Sequence, residues 1–150
     1  MQKITPFLWF NGKGEEAMNF YVSVFNNSKV VNVSRITDTI FTGSFEIEGL
    51  EYMVLDAGPN TETFTAATSF FVSCEDQAEV DDLWAKLTAD GGQEQPCGWL
   101  KDKYGLSWQI IPKSFGSFIG HPDPEKAQRA MGAMMKMTKI VIADLEAAVS

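Results

Sequence analysis

A chain of 150 residues has the usual size of one domain and can bury a sizeable core. Its 45% hydrophobic and 21% charged residues are an ordinary globular balance, and no stretch approaches the roughly eighteen apolar residues that span a bilayer. The net charge of −8 repels a phosphate backbone, and the densest basic cluster, Lys101 and Lys103, is interrupted by Asp102, so nucleic acid is excluded as an expected partner. The opening segment Met1-Gln2-Lys3-Ile4-Thr5-Pro6 lacks the apolar core of a signal peptide, which makes the cytoplasm the expected location. Cys74 and Cys97 are too few for a disulfide framework and sit in apolar segments, as reduced thiols do. A catalytic cysteine would need a base, and the one histidine, His121, is distant in sequence.

In chain order, Ile4 to Phe10 is a short aromatic run stopped by Asn11-Gly12, the pattern of a strand. Ala17, Phe20, Tyr21, Val24 and Phe25 recur at helical spacing behind Glu15 and Glu16, and Asn26-Asn27 ends that helix. Lys29 to Thr37 and Phe41 to Glu48 read as strands, and Glu48-Gly49 as a tight hairpin turn into a strand over Leu50 to Asp56. After Gly58-Pro59-Asn60 the order restarts, with a strand over Thr68 to Ser73. A second helix follows, with Val80, Leu83, Trp84 and Leu87 on one face, Asp76 and Glu79 as a capping box, and Asp90-Gly91-Gly92 as its stop. Strands are expected over Gln95 to Leu100 and Leu106 to Pro112, with a possible stub at Gln93 to Gln95. The tail is helical: Asp123 caps, Pro124 suits the first helical position, and Ala127, Ala130, Met131, Met134 and Met135 form a stripe that packs on the domain or on a second subunit. A last helix is expected over Ile142 to Val149.

The chain is therefore read as one α+β domain over 1–150. It holds two tandem βαβββ-type modules, 4–56 and 68–112, the second one strand short or with a stub, followed by a helical tail over 113–150.

This duplication, with Phe20-Tyr21 on the first helix, resembles the vicinal oxygen chelate superfamily of glyoxalases, bleomycin-resistance proteins and extradiol dioxygenases. Pro6-Phe7-Leu8-Trp9-Phe10, Glu15-Glu16-Ala17-Met18-Asn19-Phe20-Tyr21, Cys97-Gly98-Trp99-Leu100-Lys101-Asp102 and Ser107-Trp108-Gln109 are similar to its PhnB-like branch, also labelled demethylubiquinone methyltransferase-like. Asp123-Pro124-Glu125-Lys126-Ala127-Gln128-Arg129 belongs to the same pattern. The resemblance implies four metal-ligand positions, which fall here at Pro6, Met53, Thr68 or Ser69, and Gln109. None is a good ligand for a hard or borderline divalent ion, so neither a metal nor any other cofactor is expected. The label also implies a methyl donor, for which Asn11-Gly12-Lys13-Gly14 is the one candidate turn. As a lone pair of glycines it reads better as a strand-to-helix turn.

The fold resembled curls each sheet around a concave face. With Pro6 and Gln109 inward, strand alternation adds Leu8, Phe10, Met53, Leu55, Ser107 and Ile111 to that face, with Arg35 or Trp99 as further polar handles. Phe7, Trp9, Tyr52 and Trp108 are then expected under the helices. Such a face suits a small hydrophobic or aromatic ligand, and each of these residues could equally be core. His121 is expected in a surface loop, and Asp102 to organise its turn through backbone N–H groups. The expected function is a metal-independent small-molecule-binding protein, a homodimer by the family's habit, with no membrane partner. The alternatives are an enzyme, either a lyase, isomerase or dioxygenase or a quinone-directed methyltransferase, and a structural partner protein with a filled core.

Overall fold

A computed structural model describes residues 2–150. The chain forms two compact units, one ending at Thr63 and the other spanning Phe64–Ser150.

The first unit holds β1 (Phe7–Phe10), α1 (Gly14–Val24), β2 (Lys29–Arg35), β3 (Phe41–Ile47) and β4 (Leu50–Asp56), in a sheet of order β1-β4-β3-β2. β1 runs parallel to β4, and β3 is antiparallel to both of its neighbours. Ile47 pairs with Leu50 across a two-residue turn in which Glu48 and Gly49 have φ of 49° and 82°, the left-handed pair that matches strand twist in a tight hairpin. Strict alternation in β3 buries Phe41, Gly43, Phe45 and Ile47 on the side covered by α1. There Tyr21 stacks on Phe45, and Phe45 on Tyr52, with centroids 6.2 and 5.4 Å apart. Burying each such ring stabilises the unit by roughly 1.5–3 kcal/mol. α1 rotates slightly from its expected face: Met18 is buried and Phe20 only half so. Gly43 accounts for this, because a Cβ there would lie 3.2 Å from Met18 Sδ and 2.9 Å from Asn32 O.

The second unit repeats the plan with β5 (Ser69–Cys74), α2 (Gln77–Thr88), β6 (Gln93–Glu94), β7 (Trp99–Lys101) and β8 (Ser107–Pro112), ordered β5-β8-β7-β6. Val80, Leu83, Trp84 and Leu87 of α2 are buried, and Phe70 meets Trp108 edge-on at 5.2 Å. Asp76 caps α2 by accepting the Glu79 N–H, while Glu79 reaches back to the Glu75 N–H. β6 is the expected stub. β7 is shorter than expected, because Pro96-Cys97-Gly98 forms a single 3-10 turn. The N–H groups of Cys97 and Gly98 donate to Met137 O and Thr138 O in the tail, at 2.9 and 2.7 Å, instead of to the sheet.

The tail contains α3 (Phe115–Ile119), α4 (Pro124–Met134) and α5 (Ile142–Val149). α3 lies ahead of the expected helix start at Asp123; Phe115, Phe118 and Ile119 form its short apolar face, packed with Met134 and Met137 around Ile111, Ala130, Ile140 and Leu145. The methionine stripe divides there, leaving Met131 and Met135 exposed. Asp123 caps α4 through the Glu125 N–H. Gln77 clasps the segment before α5, donating to Ile140 O and accepting from the Ile142 N–H. Among the described residues no helix is long and apolar enough to cross a membrane.

Candidate functional site

Each sheet has one face under its helix; the other, open face is exposed at Phe7, Trp9 and Met53 in the first unit and at Phe71 in the second, where the tail helices cover its Ile111 end. In the first unit, register decides which residues share a face. Phe7 lies beside Met53 and Trp9 beside Leu55, and on the next strand Ser44 and Thr42 flank Met53 and Leu55. Phe7, Trp9 and Met53 are 53%, 41% and 42% exposed, whereas Leu8, Phe10, Tyr52 and Val54 are buried. The expected parity of β1 is thus reversed. Leu8 and Phe10 belong to the core with Tyr21, and Phe7 and Trp9 take their places beside Met53 and Leu55. Tyr52 packs under α1 as expected, and its burial raises the phenol pKa.

In the second unit β8 alternates as expected. Ser69, Ser107 and Lys101 form one row across the open face, and Phe71, Gln109 and Trp99 form the next. Trp99, Ser107 and Gln109 are therefore brought together. The Gln109 amide Nε2 donates to Ser69 Oγ at 3.0 Å. Phe71 is 58% exposed, and Ser107 is fully buried with no hydrogen-bond partner for its Oγ among the described residues.

The four positions where relatives would hold a metal do not fit one. Pro6 offers only its carbonyl, which accepts the Met53 N–H at 2.9 Å. Met53 is a soft thioether, and Ser69 and Gln109 are neutral groups joined by one hydrogen bond. Among the described residues no three His, Cys, Asp or Glu side chains are grouped to hold an ion.

Arg35 does not join either open face. It pairs with Phe41 on the helix-facing side of the sheet, lies over that ring, and donates to both carboxylate oxygens of Glu15 at 2.8 and 2.6 Å. That bonding and the Glu15 charge raise its pKa further. Arg35 borders a cleft of about 970 Å³ between the Gly12–Gly14 turn and the loop around Thr37 to Thr39. Asp56 closes the cleft floor, accepting the N–H groups of Gly12 and Gly58 on Oδ1 and of Gly14 on Oδ2. A carboxylate already holds the donors with which such a turn would grip a methyl donor's carboxylate, so the turn does not fit that cofactor. The local Gly58 contact is an ordinary turn bond, and nothing local in the sequence signals the role of Asp56 at the first turn, because Gly12 and Gly14 lie more than forty residues away.

The remaining candidates are structural. Asp102 is buried and accepts from Tyr104 N, Leu106 N and Trp108 Nε1, organising the β7–β8 turn. His121 Nδ1 accepts the Asp123 N–H in its loop. Burial, helped by Glu79 and Asp76, pushes the Cys74 thiol from 9.0 to about 12, where it is no nucleophile.

Two βαβββ units, each a mixed four-stranded sheet backed by one helix, define a protein of the glyoxalase/bleomycin-resistance class. The fold is shared with a glyoxylase/bleomycin resistance protein/dioxygenase domain from Frankia sp. EAN1pec (16% identity over 75% of this chain and 92% of that one, TM-score 0.50). It is shared also with a protein from Pseudomonas aeruginosa (20%, 75% and 98%, TM-score 0.62). The chain belongs to the family described as 3-demethylubiquinone-9 3-methyltransferase, whose model matches residues 2–111. It is 39% identical to a PhnB protein from Bacillus cereus, over 74% of this chain and 99% of that one, with a TM-score of 0.69. The family match stops short of the helical tail. None of the curated proteins matches the chain.

Proposed function

We propose that residues 1–150 act as one domain that binds a small apolar or aromatic molecule without a metal, through the open faces of its sheets. The observation that carries this reading is the exposed row of Phe7, Trp9 and Met53, set against the buried Leu8, Phe10, Tyr52 and Val54 of the same two strands. Large apolar side chains left together in water mark a binding surface. Phe71, Trp99, Ser107 and Gln109 are the corresponding residues of the second unit, and Leu55 extends the row in the first. Arg35, Leu8 and Phe10 have structural roles in this reading. The protein works as a cytoplasmic homodimer, a view supported by the exposed Met131 and Met135 and the free thiols of Cys74 and Cys97.

Titration calorimetry with nitrobenzene as an apolar aromatic probe tests the reading. Saturable binding is expected, weakened about tenfold by Trp9→Ser through lost stacking and apolar contact. Binding that is absent, or indifferent to both Trp9→Ser and Phe71→Ser, would sink it. Metal analysis of the purified protein should find no stoichiometric zinc, iron or manganese. The methyltransferase reading rests on the family's description; it predicts calorimetric binding of S-adenosylmethionine, and the Asp56 arrangement argues against it at the glycine turn.

A further inference from the structure

The open face of the second unit is unusual in its charge. Among the described strand residues sharing that face (Ser69, Phe71, Ser73, Gln93, Trp99, Lys101, Ser107, Gln109 and Ile111 by register), the one ionisable group is a cation. Lys101 is half-buried and has no carboxylate within ion-pair distance among the described residues, in a chain where acidic side chains outnumber basic ones 20 to 12. Its partner in register, Ser107, is fully buried with an unpartnered hydroxyl. Buried hydroxyls are ordinarily paired, so the orphan calls for a partner, either an ordered water or a bound molecule.

We propose that Lys101, Ser107 and Ser69 bind an organic oxyanion, so that the ligand is a small aromatic or apolar weak acid. Gln109 spends its amide N–H on the oxygen of Ser69, which leaves the Ser69 hydroxyl proton free to be donated. The row across the sheet therefore presents two hydroxyl donors and an ammonium group. A site with donors in excess and one cation selects a negatively charged oxygen over a neutral one. Phe71 and Trp99 flank Gln109 in the adjacent row, where they would meet the apolar body of the molecule. Ser107 is the innermost of the three and Lys101 sets the charge.

This inference rests on the ligand-binding reading above, and one set of titrations separates the two. 4-Nitrophenolate, at mildly alkaline pH, is compared with nitrobenzene, the same nitroarene without the oxyanion. The phenolate is expected to bind at least about tenfold more tightly, the usual gain from a charge-assisted hydrogen bond. Lys101→Met should bring the phenolate's affinity down to that of nitrobenzene in the same variant, and Ser107→Ala should reduce the preference in part. If nitrobenzene binds and the phenolate gains nothing, or if its preference survives both substitutions, the oxyanion site is refuted and an ordered water is the partner of Ser107. If neither probe binds, both readings fall.

Discussion

The indole of Trp108 donates to Asp102 at 2.9 Å, tying a core residue of β8 to the turn that leads into it. Asp102 accepts two backbone N–H groups from the same turn, so one buried carboxylate sets the hairpin and the strand that carries Ser107 and Gln109. Asp102→Ala would strand these donors and should cost about 3 kcal/mol or more in urea unfolding. Trp108→Phe loses one bond and part of a ring, and should cost less. Equal, small effects would show that the turn holds itself.

Gly98 has φ of 82°, and a Cβ there would stand 2.7 Å from Ile111 Cδ1 and 3.0 Å from Ile140 Cγ1. Gly98→Ala combines backbone strain with overpacking and should cost about 2–3 kcal/mol. Because its N–H donates to Thr138 O, limited proteolysis should cut the tail beyond Met137 faster in the variant.

Cys74 should resist iodoacetamide in the native protein at pH 9 and react once unfolded. Its thiol is held up at about 12, against an ordinary 9.0. The raised value favours the protonated folded form, so this contribution to stability is complete below pH 9 and declines as pH rises toward about 12. The unfolding midpoint should fall across that window in the wild type and fall less in Cys74→Ala.

Arg35→Ala should leave the urea midpoint and the affinity for nitrobenzene essentially unchanged, since its pair with Glu15 is exposed and both stand off the open face. A marked loss of binding would return Arg35 to the ligand site.

Much of the fold was legible because local signals agreed. Alternating residues in β3, the Glu48-Gly49 turn, the Asp76 and Asp123 caps and the Ile142–Val149 helix all follow from patterns within a few residues. β1 was different. Phe7-Leu8-Trp9-Phe10 is apolar at every position, so its alternation is silent about which pair faces α1. The boundaries of β7 were obscured for another reason. Pro96-Cys97-Gly98 hydrogen-bonds to residues about forty positions later, a pairing no local pattern can announce.

By itself, then, the sequence determined the two-module plan, the α2 and α5 helices and the unsuitability of Pro6, Met53, Thr68 or Ser69, and Gln109 as metal ligands, because these depend on residue type and short-range periodicity. Tertiary structure alone decided that Trp9 and Phe7, not Phe10 and Leu8, share a face with Met53, that Asp56 fills the glycine turn, and that Ser107 is buried beside Lys101 without a partner. Each of these depends on which strand lies next to which and in what register, and register is a property of the assembled sheet.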